Sequence, residues 1–113
     1  MTNPSTMSSG NIKGEWVLSV TLSPASVAPN TTSEQTFTVP GLALGDFIDI
    51  NKPSVQAGLG IVNSRVSAAN TLAVGFLNNT AATITPTASE VYQVNVSRPE
   101  NLANNVSILT QIT

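Results

Sequence analysis

Residues 16–23 read WVLSVTLS, and the period of that stretch decides the fold. Trp16, Leu18, Val20 and Leu22 fall on one side of an extended chain, and Val17, Ser19, Thr21 and Ser23 on the other. A two-residue period marks a half-buried strand, because successive side chains of a strand point to opposite faces. The same reading extends along the chain. Pro24 and Pro29 punctuate a loop, since proline cannot donate to a ladder. Gln35 to Val39 then resumes the alternation, with Phe37 and Val39 inward, and Pro40-Gly41 reads as a turn. Gly45-Asp46 opens a strand with Ile48 and Ile50 on one face and Phe47 and Asp49 on the other, and Asn51-Lys52-Pro53 closes it.

Gly58-Leu59-Gly60 reads as a tight bend or bulge leading into a strand from Ile61 to Val66. Ser67 to Asn70 is a connection of hairpin length, and Thr71 to Leu77 returns with Leu72, Val74 and Phe76 on one face. Asn78-Asn79 reads as a second turn, and Ile84 as part of a short strand before Pro86. Val91 to Ser97 is the clearest late strand, with Tyr92, Val94 and Val96 inward, and Arg98-Pro99 ends it. No segment carries helical apolar spacing over a window of about 11 residues. The expected fold is therefore all-β: a small antiparallel β-sandwich of jelly-roll or immunoglobulin-like type, with extended termini. Residues 1–14 read as a flexible arm, 15–98 as the sandwich, and 99–113 as a C-terminal extension. The extension alternates weakly around Val106, Ile108 and Ile112 and is suited to a partner-contacting strand. Some strands are apolar on both faces, at Ile61-Val62 and at Phe76-Leu77. A sandwich buries one face of each sheet, so this surplus points to packing against another subunit, although scattered exposed apolar residues are also ordinary.

The composition narrows the chemistry. The chain has 113 residues, one domain's worth, and a net charge of −2. Cys and His are absent, which removes disulfides, zinc sites of Cys/His type and His-dependent nucleophilic machinery. Four Lys and Arg supply too few cations for useful affinity to a phosphate backbone, so no nucleic-acid partner is expected. No run approaches the ~20 apolar residues of a membrane helix or the 7–15 of a secretory signal. The chain is thus expected to be soluble, made in a host cytoplasm, and to have no membrane partner. Thr, Ser, Asn and Gln account for 43 residues, while charged residues make up only 9%. Such a surface suits an extracellular setting reached without export, as on a virion released by lysis. A trimmed piece of a secreted protein is the alternative. Four Asn-x-Ser/Thr sites, at Asn30, Asn78, Asn95 and Asn105, match the roughly three expected by chance from the acceptor rule and say nothing of glycosylation.

Candidate chemistry is sparse. Asp46, Asp49 and Asn51 could offer oxygens to calcium, but strand alternation sets Asp46 opposite the other two. Gly58-Leu59-Gly60 is too short for a dinucleotide fingerprint. The six acidic residues form no pair suggestive of glycosidase chemistry. Trp16 and Tyr92 could stack on a sugar or a base, yet both are in phase with inward residues and read as core. Tyr92 stands in SEVYQV, residues 89–94, like the late-strand tyrosine of immunoglobulin-like sandwiches. No enzyme activity, metal or cofactor is expected.

Two stretches carry resemblances. Residues 18–39, LSVTLSPASVAPNTTSEQTFTV, resemble the opening strands of bacterial immunoglobulin-like domains. More specifically, residues 46–96 contain NKPS at 51–54, AGLGI at 57–61, RVSAANTLAVGF at 65–76, NNTA at 78–81, ITPTA at 84–88 and then Tyr92. This string is similar to small all-β virion proteins encoded among the structural genes of tailed bacteriophages, used on heads or in fibres. The resemblance implies a capsid decoration or cement protein on the outer capsid surface. It would bridge copies of the major capsid protein and act as a homo-oligomer, with a trimer suited to local threefold positions. It implies no catalytic residues. A tail-fibre or receptor-binding module recognising host glycans is the alternative. Gly58, Gly60, Arg65, Asn70, Leu72, Phe76 and Tyr92 are its recurring positions, and all but Arg65 read as turn or core. Arg65, the one cation inside a strand pattern, is expected to pair with an acid on a neighbouring strand or to anchor a subunit contact, for which Val106, Ile108 and Ile112 are the other candidates.

Overall fold

The structure is a computed structural model and describes residues 12–100. Six strands follow in order: β1 (Ile12–Leu22), β2 (Thr31–Thr38), β3 (Phe47–Asn51), β4 (Leu59–Ala68), β5 (Thr71–Asn78) and β6 (Glu90–Pro99). They form two three-stranded antiparallel sheets, ordered β1-β6-β3 and β2-β5-β4, packed as a small β-sandwich. Strands pair as nested partners counted from the two ends of the chain, β1 with β6 and β2 with β5. Every connection except β4–β5 crosses from one sheet to the other. An immunoglobulin sandwich keeps several consecutive strands in one sheet, so this winding follows the jelly-roll pattern of the two that the sequence suggested.

The inward residues of the alternating strands make one core. Leu72, Val74 and Phe76 of β5 meet Val94 and Val96 of β6, with Val27, Val39, Leu42 and Val66 around them. Ile48 and Ile50 face this core, while Phe47 and Asp49 lie on the outer face, as the period of two requires. The surplus apolar residue Val62 sits at a register shift between Ile61 and Asn63 and projects to solvent. Central β5 is buried on both faces, and its outward positions are the small residues Ala73 and Gly75.

The two seams of the sandwich differ. On one side β3 and β4 approach, and Ser64 Oγ donates to the Ile48 carbonyl at 3.2 Å. On the other side β1 has no strand neighbour beyond it among the described residues. The connection after β1 closes the upper part of that seam, where the Gln35 amide accepts from the Ala25 N–H and donates to the Ala25 carbonyl. The lower part stays open.

Several local expectations shift. β1 begins at Ile12, inside the stretch read as an arm, because Ile12 and Gly14 pair with Pro99 and Arg98. β2 starts four residues earlier than its alternation suggested, at Thr31. The β4–β5 connection narrows to Ala69-Asn70, with Asn70 left-handed at φ 59° and the ladder shifted between Val66 and Ala68. Asn70 Oδ1 accepts from the Gly41 N–H at 2.8 Å, which ties the hairpin to the β2–β3 loop. Ile84 makes an isolated bridge with Val27 in place of a strand. Of the two glycines read as a bend, Gly58 is left-handed at φ 80°, and a Cβ there would meet Thr80 Cγ2. Gly60 lies in β4 with open space beside it.

Candidate functional site

The end of the β1-β6-β3 sheet at which β1 begins and β6 ends gathers the unusual features. Arg98, next to last in β6, reaches over to Asp46 just before β3. Its Nε and NH2 donate to the two carboxylate oxygens at 2.8 Å each, and NH2 also donates to the Gly41 carbonyl at 2.7 Å. Asp46 Oδ2 accepts in turn from the Ala43 N–H at 3.0 Å. The Asp46 side chain is buried, and the Arg98 guanidinium beside it holds its carboxyl below the usual aspartate range, with the Ala43 N–H adding to the effect. Arg98 also stands 5.1 Å from the centroid of the Trp16 ring, a cation–π contact.

Trp16 corrects the sequence reading. Its phase is inward, but it is 43% exposed. It lies near the end of the sheet, over the open part of the seam, where no strand covers its outer side. A Cβ at Gly14 would meet the indole at 2.8 Å, so the glycine is what lets the ring lie flat along β1. Trp16 and Leu18 from β1, Pro40 and Leu42 from the β2–β3 loop, and Val96 and Arg98 from β6 line a cavity of about 190 Å³ that is mostly apolar. Nearby, Ile12, Leu44 and Phe47 are exposed apolar side chains, Phe47 at 68%. Register sets Phe47 beside Ser97 and Glu15, and Ile12 beside Pro99. Both ends of the described chain therefore leave from this apolar end.

The outer face of the same sheet is polar and flat. Register aligns Ser19, Gln93 and Asn51 in one row, and Val17, Asn95 and Asp49 in the next. Asp49, Asn51, Gln93 and Asn95 line a shallow hollow of about 310 Å³. Gln93 reaches Ser19 Oγ at 3.3 Å, and Ser97 Oγ donates to Glu15 at 2.9 Å. Asn95 Oδ1 is buried with no hydrogen-bond partner among the described residues.

The sequence-predicted residues separate. Arg65 is not near that end. It lies on the outer face of the other sheet, where Nε and NH2 donate to Glu34 at 2.9 and 2.8 Å. The calcium candidates part as the alternation requires, with Asp46 turned in to Arg98 and Asp49 and Asn51 on the outer face. Among the described residues no three His, Cys, Asp or Glu side chains come together. Val106, Ile108 and Ile112 lie outside the described residues. Tyr92 is fully buried, as its phase predicted, and burial together with the Glu90 charge pushes its hydroxyl up to about 12.

Two groups escaped the sequence reading. The Asp46–Arg98 pair joins residues 52 apart in sequence, and only their shared position flanking paired strands could have suggested it. Asn78, read as a turn residue, is the buried last residue of β5. Its amide donates to the Val27 and Ala82 carbonyls at 3.1 and 2.7 Å and accepts from the Thr80 N–H and hydroxyl, so one side chain locks two inter-sheet connections together. No family model, curated protein or solved structure matches this chain.

Proposed function

We propose that this chain is a structural virion protein of a tailed bacteriophage: a capsid decoration, or cement, protein that stabilises the head by bridging copies of the major capsid protein. The observation that carries the reading is the apolar end of the sandwich. Ile12, Leu44 and Phe47 are exposed there, and both ends of the described chain leave from it. A small rigid body with one sticky end suits stapling by shape, without a bond made or broken. The resemblance read in the sequence of residues 46–96 points to the same class of protein, although no family model, curated protein or solved structure matches the chain. The low charge supports the same reading, since many copies packed closely on a shell would otherwise repel one another. A homotrimer fits local threefold positions, because closed symmetry lets a small protein occupy symmetric sites.

A second reading, a tail-fibre or receptor-binding module for host glycans, is favoured by the amide-rich outer face of β1-β6-β3. Asn51, Gln93 and Asn95 offer donors and acceptors there, and Phe47 offers an exposed ring at its margin. A mixing assay separates the two. Purified protein added to bare capsids should saturate at stoichiometric sites and raise the melting temperature of the shell. Binding to host cells with none to capsids reverses the order.

A further inference from the structure

We infer that the open seam beside β1 is the acceptor for a strand supplied by residues 106–113 of a second copy of this chain. The contact is between copies and does not depend on what the assembly attaches to.

Three observations support it. First, β1 is an edge of 11 residues whose outer backbone groups have no strand partner among the described residues. Its stretch from Trp16 to Leu22 holds no charge, proline or glycine, so it lacks the usual devices that keep an edge from pairing. Second, the inward side chains of this edge are incompletely covered. Leu18 and Val20 are only partly buried, Trp16 is 43% exposed, and the cavity of about 190 Å³ opens between Trp16, Leu18 and the Pro40–Leu42 segment. A strand added to β1 would point alternate side chains into this seam. The cavity is large enough for one branched aliphatic side chain, given that an apolar cavity of about 150 Å³ accepts benzene.

Third, the chain holds one segment that fits. Residues 106–113, VSILTQIT, are uncharged and free of proline, and they set Val106, Ile108 and Ile112 on one face. At about 3.3 Å per residue they span roughly 26 Å, more than enough to follow the open lower part of β1 from Glu15 to Val20. Residues 1–11, MTNPSTMSSGN, offer Pro4 and no apolar alternation, so they cannot fill the same role. The donor comes from a second copy because of where the chain leaves β6. Pro99 pairs with Ile12, so a segment returning to the outer edge of its own β1 would have to cross the end of that strand at Ile12, where the chain enters it. Connections avoid such crossings on one edge of a sheet. Donation from each copy to the next has no such conflict and builds a ring where the rotation between copies closes.

The test uses the full-length chain and its single tryptophan, which lies in the seam. Wild-type protein should sediment as an oligomer, and dilution below the association range should shift Trp16 emission to the red. Ile108→Asp should sediment as a monomer with red-shifted emission, its far-ultraviolet circular dichroism and melting showing the sandwich still folded. Thr110→Pro, which removes a backbone donor and leaves the apolar face intact, should do the same and serves if the aspartate variant misfolds. Three results would each overturn the inference: a monomeric wild type, an oligomer unaffected by either substitution, or dissociation that leaves Trp16 emission unchanged.

Discussion

Arg65 and Glu34 lie on β4 and β2, two strands apart, and meet over the central strand β5. Strands are spaced about 4.8 Å apart, so side chains of next-nearest strands touch only if the strand between them carries little bulk. Register sets Arg65 beside Ala73 and Glu34 beside Gly75, and the bidentate pair passes over those two small residues. This is why β5 is buried on both faces in a sandwich that covers only one, and it gives the alanine and glycine of TLAVGFLN a structural reason.

Because both partners are substantially exposed, the pair is a covering more than a source of stability. Glu34→Gln should lower the melting temperature slightly, and raising the salt concentration should shrink the difference from wild type. Thermal melts of both proteins across a salt series check this. A large difference that salt does not touch contradicts it.

Asp46 should behave differently. Its side chain is buried, and Arg98 and the Ala43 N–H favour its charged form, so its carboxyl ionises below the ordinary value of about 3.9. The unfolded chain then takes up a proton before the folded one does as pH falls. The contribution of the pair is complete above pH ~4 and is lost as pH drops through the lower folded value. Glu34 and Glu90 are lowered as well and steepen the same limb. Asp46→Asn should lower the melting temperature at neutral pH more than Glu34→Gln does, and should flatten the acid limb of melting temperature against pH. Parallel acid limbs for wild type and Asp46→Asn would refute this.

Asn78 tests how the inter-sheet connections are held. Alanine there removes one donor each from the buried Val27 carbonyl and the Ala82 carbonyl, which keep the Ile84 N–H and the Thr80 hydroxyl, and takes the acceptor from the Thr80 N–H, at a cost of about 1–3 kcal/mol. Chemical denaturation of Asn78→Ala should show this loss. A change under about 0.5 kcal/mol, the level of an ordinary surface substitution, would mean that the loops hold without it.

Tyr92 is the only tyrosine, so absorbance reads its ionisation directly. Its buried hydroxyl has no hydrogen-bond partner among the described residues, and the folded value is pushed up to about 12. The unfolded tyrosine ionises near 10, so between pH ~10 and the folded value the unfolded state holds fewer protons and stability falls as pH rises. Tyr92→Phe should remove that alkaline loss and leave neutral stability unchanged or slightly higher, since it discards an unsatisfied group and keeps the ring. A titration midpoint near 10 in the folded protein contradicts the burial.

Much of the fold was legible because alternation is local. Tyr92, Val94 and Val96 are inward in the sequence pattern and buried in the structure, and Ile48 and Phe47 part to opposite faces. Pairing was not legible, since a period of two says which face a residue takes and nothing of which strand lies beside it. Trp16 shows the limit: its phase is inward, but whether an inward residue is covered depends on a neighbouring strand, and β1 has none on its outer side. Arg65 was legible as half of a pair, while its partner, two strands away, was not. Asp46–Arg98 and Asn78 were invisible for a similar reason. Each joins segments distant in sequence through side chains at strand ends, where no periodicity operates.

On the proposed decoration reading a tailed phage encodes this chain, and the most direct test is an electron-microscopy map of intact particles of that phage. The account predicts a small sandwich repeated over the outer head surface, its end bearing Ile12, Leu44 and Phe47 turned to the major capsid protein. A map that resolves the whole particle and has no such density on the head would contradict it.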